Sequence, residues 1–107
     1  MSIHNIHTTS DLNEFVEKHD VALVYLSKEN CSVCHALWPK VEEQLIHYPF
    51  ISTAYVHLDD AEAVPSQYEV FTVPTILIFV KGREWYRASR FIRMEELQRQ
   101  FEQLKKA

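Results

Sequence analysis

The chain has 107 residues, enough for one domain that buries about two-thirds of its unfolded surface. It is 47% hydrophobic and 24% charged, a balance that excludes intrinsic disorder, and its net charge of −4 argues against a nucleic-acid footprint. No apolar run approaches the ~20 residues of a membrane span, and the N-terminus lacks the basic-then-apolar layout of an export signal, so a reducing cytoplasm is the expected compartment.

Residues 3–7 alternate apolar and polar, the pattern of a short half-buried strand. Ser10 or Thr9 is expected to cap a helix running to about residue 19, with Leu12, Phe15 and Val16 as its apolar stripe. Residues 21–26 form a near-continuous apolar run rich in strand formers, suited to a central strand covered on both faces. Cys31 and Cys34, the only two cysteines, follow and open a helical segment over 32–47. Its expected buried positions are Val33, Leu37, Val41, Leu45 and Ile46. Pro39 falls inside that helix, removes one hydrogen bond and predicts a kink; Pro49 ends the segment.

Residues 51–58 alternate again as a strand, and Asp59-Asp60-Ala61-Glu62 turns the chain into a short helical piece up to about residue 70. The Val73-Pro74 step bars Val73 from helix, and residues 75–80 read as another buried strand. Lys81-Gly82 makes a tight turn on the chain's only glycine, and residues 84–90 return antiparallel. Residues 93–105 form an amphipathic helix with Leu97, Phe101 and Leu104 inward. The order βαβαβ(α)ββα predicts an α/β fold in a single domain spanning 1–107: a mixed five-stranded sheet with helices on both faces.

A strand that ends in Cys-x-x-Cys at a helix start reads as a redox dithiol. Positions i and i+3 share a helix face, so Cys31 and Cys34 can meet in a disulfide. Cys31 would sit where free N–H groups favour an anion, which lowers its pKa and makes it the attacking thiolate. Cys34, one turn deeper, would stay protonated and resolve the mixed disulfide. His35 follows; as a cation it would add to thiolate stabilisation if its ring faces the sulfur.

The element order, the Cys-x-x-Cys after the second strand, Pro39 behind it, Asp59, Tyr68, Val73-Pro74-Thr75 and Gly82 together resemble the thioredoxin family over essentially the whole chain. The resemblance implies a cis Pro74 lying against the dithiol, with the backbone of Val73 pairing to an extended substrate segment. Cys31 would attack and Cys34 resolve, while Asn30, Ser32, Val33 and Arg90 would border the docking surface. Substrates would be disulfide-containing proteins or low-molecular-weight thiols, with a reductase or thiol pool as electron donor. No bound cofactor or metal is expected, no nucleic acid or membrane partner, and the chain would be a monomer or weak dimer.

The departures from the family pattern are specific. The usual Trp-Cys-Gly-Pro-Cys is here Asn30-Cys31-Ser32-Val33-Cys34, so the reduction potential does not carry over. The family's buried acid falls on Tyr25 and the lysine that partners it on Tyr55; losing both avoids an isolated interior charge. With that acid absent, the proton of Cys34 would pass to water, His35 or a carboxylate such as Glu29. A family glycine beside the groove falls on Arg90, next to Phe91, which narrows and charges the docking surface toward fewer, acidic substrates.

Competing readings are weaker. Cys31-Ser-Val-Cys34-His35 matches a c-type haem attachment motif, but export and a helical chain are missing. A zinc site needs roughly four ligands, and Pro74 would crowd the metal. His4, His7, His19 and His47 read as solvated and His57 as structural. Tyr25 and Tyr55 read as core tyrosines with satisfied hydroxyls, and Trp38 as a packing residue. Trp85 and Tyr86 fit either a partner surface or a half-buried strand, and Arg87, Arg90 and Arg93 read as a solvated charged face. The alternative function from another class is a thioredoxin-fold adaptor or redox sensor whose dithiol does not turn over.

Overall fold

The computed structural model describes residues 2–106. Its elements are β1 (Ile3–Ile6), α1 (Thr9–Lys18), β2 (Val21–Ser27), α2 (Ser32–Leu45), β3 (Ser52–His57), α3 (Val64–Tyr68), β4 (Thr75–Val80), β5 (Arg83–Ser89) and α4 (Met94–Lys106). The strands form one mixed five-stranded sheet, as the element order predicts, and their order in it is β1-β3-β2-β4-β5. β2 is its centre, parallel to β3 (Tyr25 opposite Tyr55) and antiparallel to β4 (Leu26 opposite Thr75).

That central position explains the uninterrupted apolar run. Residues 22–27 are all buried because both faces of β2 are covered. Ala22, Val24 and Leu26 pack with Leu12, Phe15 and Val16 of α1 and Val64 of α3. Leu23 and Tyr25 point the other way, into Cys34, Val41 and Leu45 of α2 and Leu97, Phe101 and Leu104 of α4. The period of two along β2 thus divides the interior into two cores, one per sheet face.

Several boundaries differ from expectation, each for a local reason. The cap of α1 is Thr8 rather than Thr9 or Ser10: Thr8 has extended dihedrals, and its hydroxyl accepts from the Asp11 N–H at 3.1 Å. α2 ends at Leu45, and Val33 (58% exposed) and Ile46 (63%) are not buried. The buried stripe is Cys34, Val41 and Leu45 with Leu37 and Trp38 partly covered, a helical spacing that leaves both neighbours facing outward. The chain turns over 58–63, and α3 spans only five residues before Glu69 (φ 54) ends it in the left-handed region. β5 starts at Arg83, and an irregularity between Ile78 and Phe79 leaves Trp85 without a cross-strand partner.

His4, His7 and His47 are exposed as expected, whereas His19 is partly buried. His7 pairs with Asp60 at 2.8 Å and stacks flat on His57 with ring centroids 4.3 Å apart. His4 and His19 both lie against Phe15.

Candidate functional site

β2 runs antiparallel to β4, so its exit and the entry to β4 lie at one end of the sheet. The exit leads through 28–30 to the two cysteines, and the entry is Val73-Pro74. Cys31 is the N-cap of α2, with extended dihedrals, and is joined to Cys34 by a disulfide with Cα atoms 5.2 Å apart. The Cys34 N–H points at Cys31 Sγ from 3.1 Å, so the sulfur takes the place an oxygen holds in an ordinary cap. Cys31 is partly covered, whereas Cys34 is fully buried. The two sulfurs therefore differ in access as the spacing predicts.

The loop before Cys31 is pinned at both the N–H and the C=O of one residue, Glu29. The Glu29 N–H donates to Asp59 Oδ2 at 2.8 Å, and His35 Nε2 donates to the Glu29 carbonyl at 2.9 Å. The His35 ring thus folds back toward the loop from the first turn of α2, and Asp59, one of the residues behind the resemblance, acts on the backbone. No spacing in the sequence signals either contact: Asp59 is thirty residues away, and the His35 contact depends on how the loop enters α2.

Behind the dithiol stands an aromatic group. The Tyr25 hydroxyl donates to the Cys34 carbonyl at 2.7 Å, and the Tyr55 hydroxyl donates to Ser27 Oγ at 2.9 Å. Trp38 packs against both, its ring centroid 4.8 Å from Tyr25 and 5.0 Å from Tyr55, and the two tyrosine rings are themselves 5.5 Å apart. Burial, followed by the nearby Tyr55, pushes the Tyr25 hydroxyl well above the ordinary phenol range, so it stays neutral. Both hydroxyls are satisfied and Trp38 is a packing residue, as read from the sequence; Tyr25 is a core residue, whereas Tyr55 is only partly buried, packed against the core. A hollow of about 240 Å³ beside them is lined by Ser27, Glu29, His35, Tyr55, His57 and Asp59.

On the other side, the Val73–Pro74 bond is cis and Pro74 is buried. The Pro74 carbonyl accepts from the Arg90 N–H at 2.9 Å, and the Thr75 hydroxyl donates to the Thr72 carbonyl at 2.7 Å. Among the described residues, no backbone hydrogen bond engages the N–H or C=O of Val73. Arg90 has φ 64, which accounts for a glycine being usual at that position in the resemblance. Val33, Phe71 (80% exposed) and Phe91 (90%) are apolar and outward-facing, and Asn30, Ser32 and Arg90 are exposed. A groove of about 230 Å³ beside Val73 is lined by Lys28, Leu58, Pro65, Val70, Phe71 and Thr72. Phe71 was missed in the sequence reading, where nothing distinguishes an exposed loop phenylalanine from a core one.

A mixed sheet between helices, with a capping cysteine bonded to a buried one and a cis proline at the same sheet end, defines a thioredoxin-type protein. The chain belongs to the thioredoxin family, whose model, described as Thioredoxin, matches residues 4–103. It is 31% identical over 99 residues to a thioredoxin-like protein, YdfQ, of Bacillus subtilis, covering 92% of this chain and 88% of that one. In structure it resembles the thioredoxin of Trypanosoma brucei brucei, with a TM-score of 0.87 at 16% identity, covering 99% and 93% of the two chains. It also resembles oxidised thioredoxin O2 of Arabidopsis thaliana, with a TM-score of 0.85 at 22% identity, covering 96% and 94%. Family, fold and the paired cysteines support thiol–disulfide oxidoreductase chemistry in general. Among the described residues no helix is long and apolar enough to cross a membrane.

Proposed function

We propose that the chain is a protein-disulfide reductase working in a reducing compartment, with Cys31 as nucleophile and Cys34 as resolving thiol. The observation that carries this reading is the asymmetry of the pair: one sulfur accessible and facing a backbone N–H, the other buried behind it. In the reduced protein the same N–H favours the Cys31 thiolate. That thiolate attacks one sulfur of a substrate disulfide, and the other leaves as a thiolate and takes a proton. The mixed disulfide is held by Val73, whose unpaired N–H and C=O suit a short strand addition. Cys34 then loses its proton and attacks Cys31 Sγ, which forms the Cys31–Cys34 disulfide and frees the second substrate thiol. Two electrons pass to the substrate, and a reductase or thiol pool restores the dithiol.

Tyr25, neutral at physiological pH, does not accept the proton of Cys34. That proton goes to water, His35 or Glu29, and resolution is slower than with a buried carboxylate. Arg90, Asn30, Ser32 and Val33 are exposed, and as parts of the docking rim the first of them, a cation, favours acidic segments.

Insulin reduction driven by dithiothreitol tests the reading, with Cys31→Ser as control. Activity in the native chain that disappears with Cys31→Ser is expected. Equal, background-level rates in both would defeat it and favour the adaptor. Cys34→Ser is expected to accumulate mixed disulfides with its substrates, which names them.

A further inference from the structure

The segment from Glu69 to Pro74 links α3 to β4 and carries the Val73 backbone. α3 has five residues, so its last carbonyls have no helical donors to meet. Arg87 supplies them from β5. Its Nη1 donates to the Glu69 carbonyl and its Nη2 to the Tyr68 carbonyl, both at 2.7 Å. The same guanidinium is forked against Glu84, Nε to Oε2 at 3.0 Å and Nη2 to Oε1 at 2.8 Å. Glu84 and Arg87 sit on one strand, so the carboxylate sets the plane of the fork before it meets the carbonyls. That pairing holds Glu84 below the usual carboxylate range and raises Arg87 further.

β5 grips the far end of the segment as well. Ser89 Oγ lies 2.9 Å from Thr75 Oγ1, which donates to the Thr72 carbonyl, and the Arg90 N–H meets the Pro74 carbonyl. The segment is thus fixed at both ends to the edge strand and the residue that follows it, and Val73, between the anchors, has its own N–H and C=O unpaired among the described residues. Arg87 is the anchor at the beginning, and the charge-assisted fork makes that anchor directional rather than a solvated charge.

We infer that Arg87 is a positioning residue for substrate docking: by tying the end of α3 to β5 it sets where the Val73 backbone meets an incoming strand. The inference rests on the docking role proposed above. A half-exposed ion pair contributes little to global stability, so its loss is felt in the placement of this segment.

Three measurements on the full chain test this: steady-state insulin reduction, the reaction of the reduced protein with the small reagent dithionitrobenzoate, and amide exchange over residues 69–73. Arg87→Ala is expected to raise KM for insulin roughly fivefold or more with kcat little changed. Its reaction with the small reagent, which needs no strand pairing, should be unchanged, and amides of 69–73 should exchange faster. Arg87→Lys is expected to recover only part of the KM, because an ammonium cannot reproduce the planar fork. An unchanged KM overturns the inference. So does a raised KM with slowed small-reagent chemistry or with amide exchange as in the native chain. A native chain that fails to reduce insulin overturns the oxidoreductase reading itself, and with it this inference, before any variant is compared.

Discussion

The Tyr25 hydroxyl donates to the carbonyl of the residue whose sulfur closes the disulfide. It joins the centre of β2 to the first turn of α2 with one hydrogen bond, inside the core on that face of the sheet. Tyr25→Phe keeps the ring packed against Trp38 and Tyr55 and removes only this bond. The expected cost is about 1 kcal/mol, the usual net value of an intramolecular hydrogen bond. It should appear as a lower urea midpoint at constant m; a midpoint equal to the native chain's would mean the bond contributes nothing to stability. At this scale the sequence brings out the paired cysteines and the X-Pro step but not what holds them. The cysteine spacing and the Val73-Pro74-Thr75 step are local patterns, so they can be read directly. The partners of Tyr25, Asp59, His35 and Arg87 depend on which elements end side by side, and no local pattern encodes that.

Elements whose signal is periodic or conformational were legible almost to the residue. β4 is residues 75–80, as its apolar run says, and α4 buries Leu97, Phe101 and Leu104. Misplaced boundaries lie where one hydrogen bond decides, as at Thr8, or where an apolar residue stands one step off the buried stripe, as Val33 and Ile46 do. The β4–β5 turn shows the conformational signal in isolation. Lys81 has φ 50 and Gly82 φ 80, two consecutive left-handed residues, and the Lys81 N–H is tied to the Asp20 carbonyl at 2.7 Å. A Cβ at Gly82 would meet no heavy atom within 4 Å, so an alanine there costs backbone strain alone. Gly82→Ala is expected to destabilise by about 1 kcal/mol, and Gly82→Asn by less, because Asn tolerates the left-handed region. Thermal melts of the three proteins check the ranking. Equal costs for Ala and Asn would show that something other than φ governs the turn.

At the scale of the whole molecule, the alternation along β2 assigns one helix pair to each sheet face, while the site collects at one sheet end where loops meet. Histidines gather along the sheet's β1 side, and this gives the fold a pH dependence separate from its redox chemistry. His57 on β3 is stacked on His7, donates from Nε2 to Asn5 Oδ1 at 3.1 Å, and lies near Asp59 and Asp60. Burial, then the charge of His7, lowers its pKa below the ordinary 6.5; the two carboxylates oppose that shift without reversing it. His19, against Phe15 and His4, is lowered in the same sense by burial, then by His4 and Lys18. Both groups therefore protonate more readily in the unfolded chain than in the folded one. Their contribution to stability is fully present above pH 6.5 and is lost as pH falls from there through their folded-state values. Urea midpoints of the oxidised protein should thus decline as pH is lowered from about 7.5 to about 5, before carboxylate protonation adds its own loss. His57→Gln, which can keep a hydrogen bond to Asn5 without titrating, should flatten that decline relative to the native chain. Parallel curves for the two proteins would remove His57 from the account and leave the acid sensitivity to other groups.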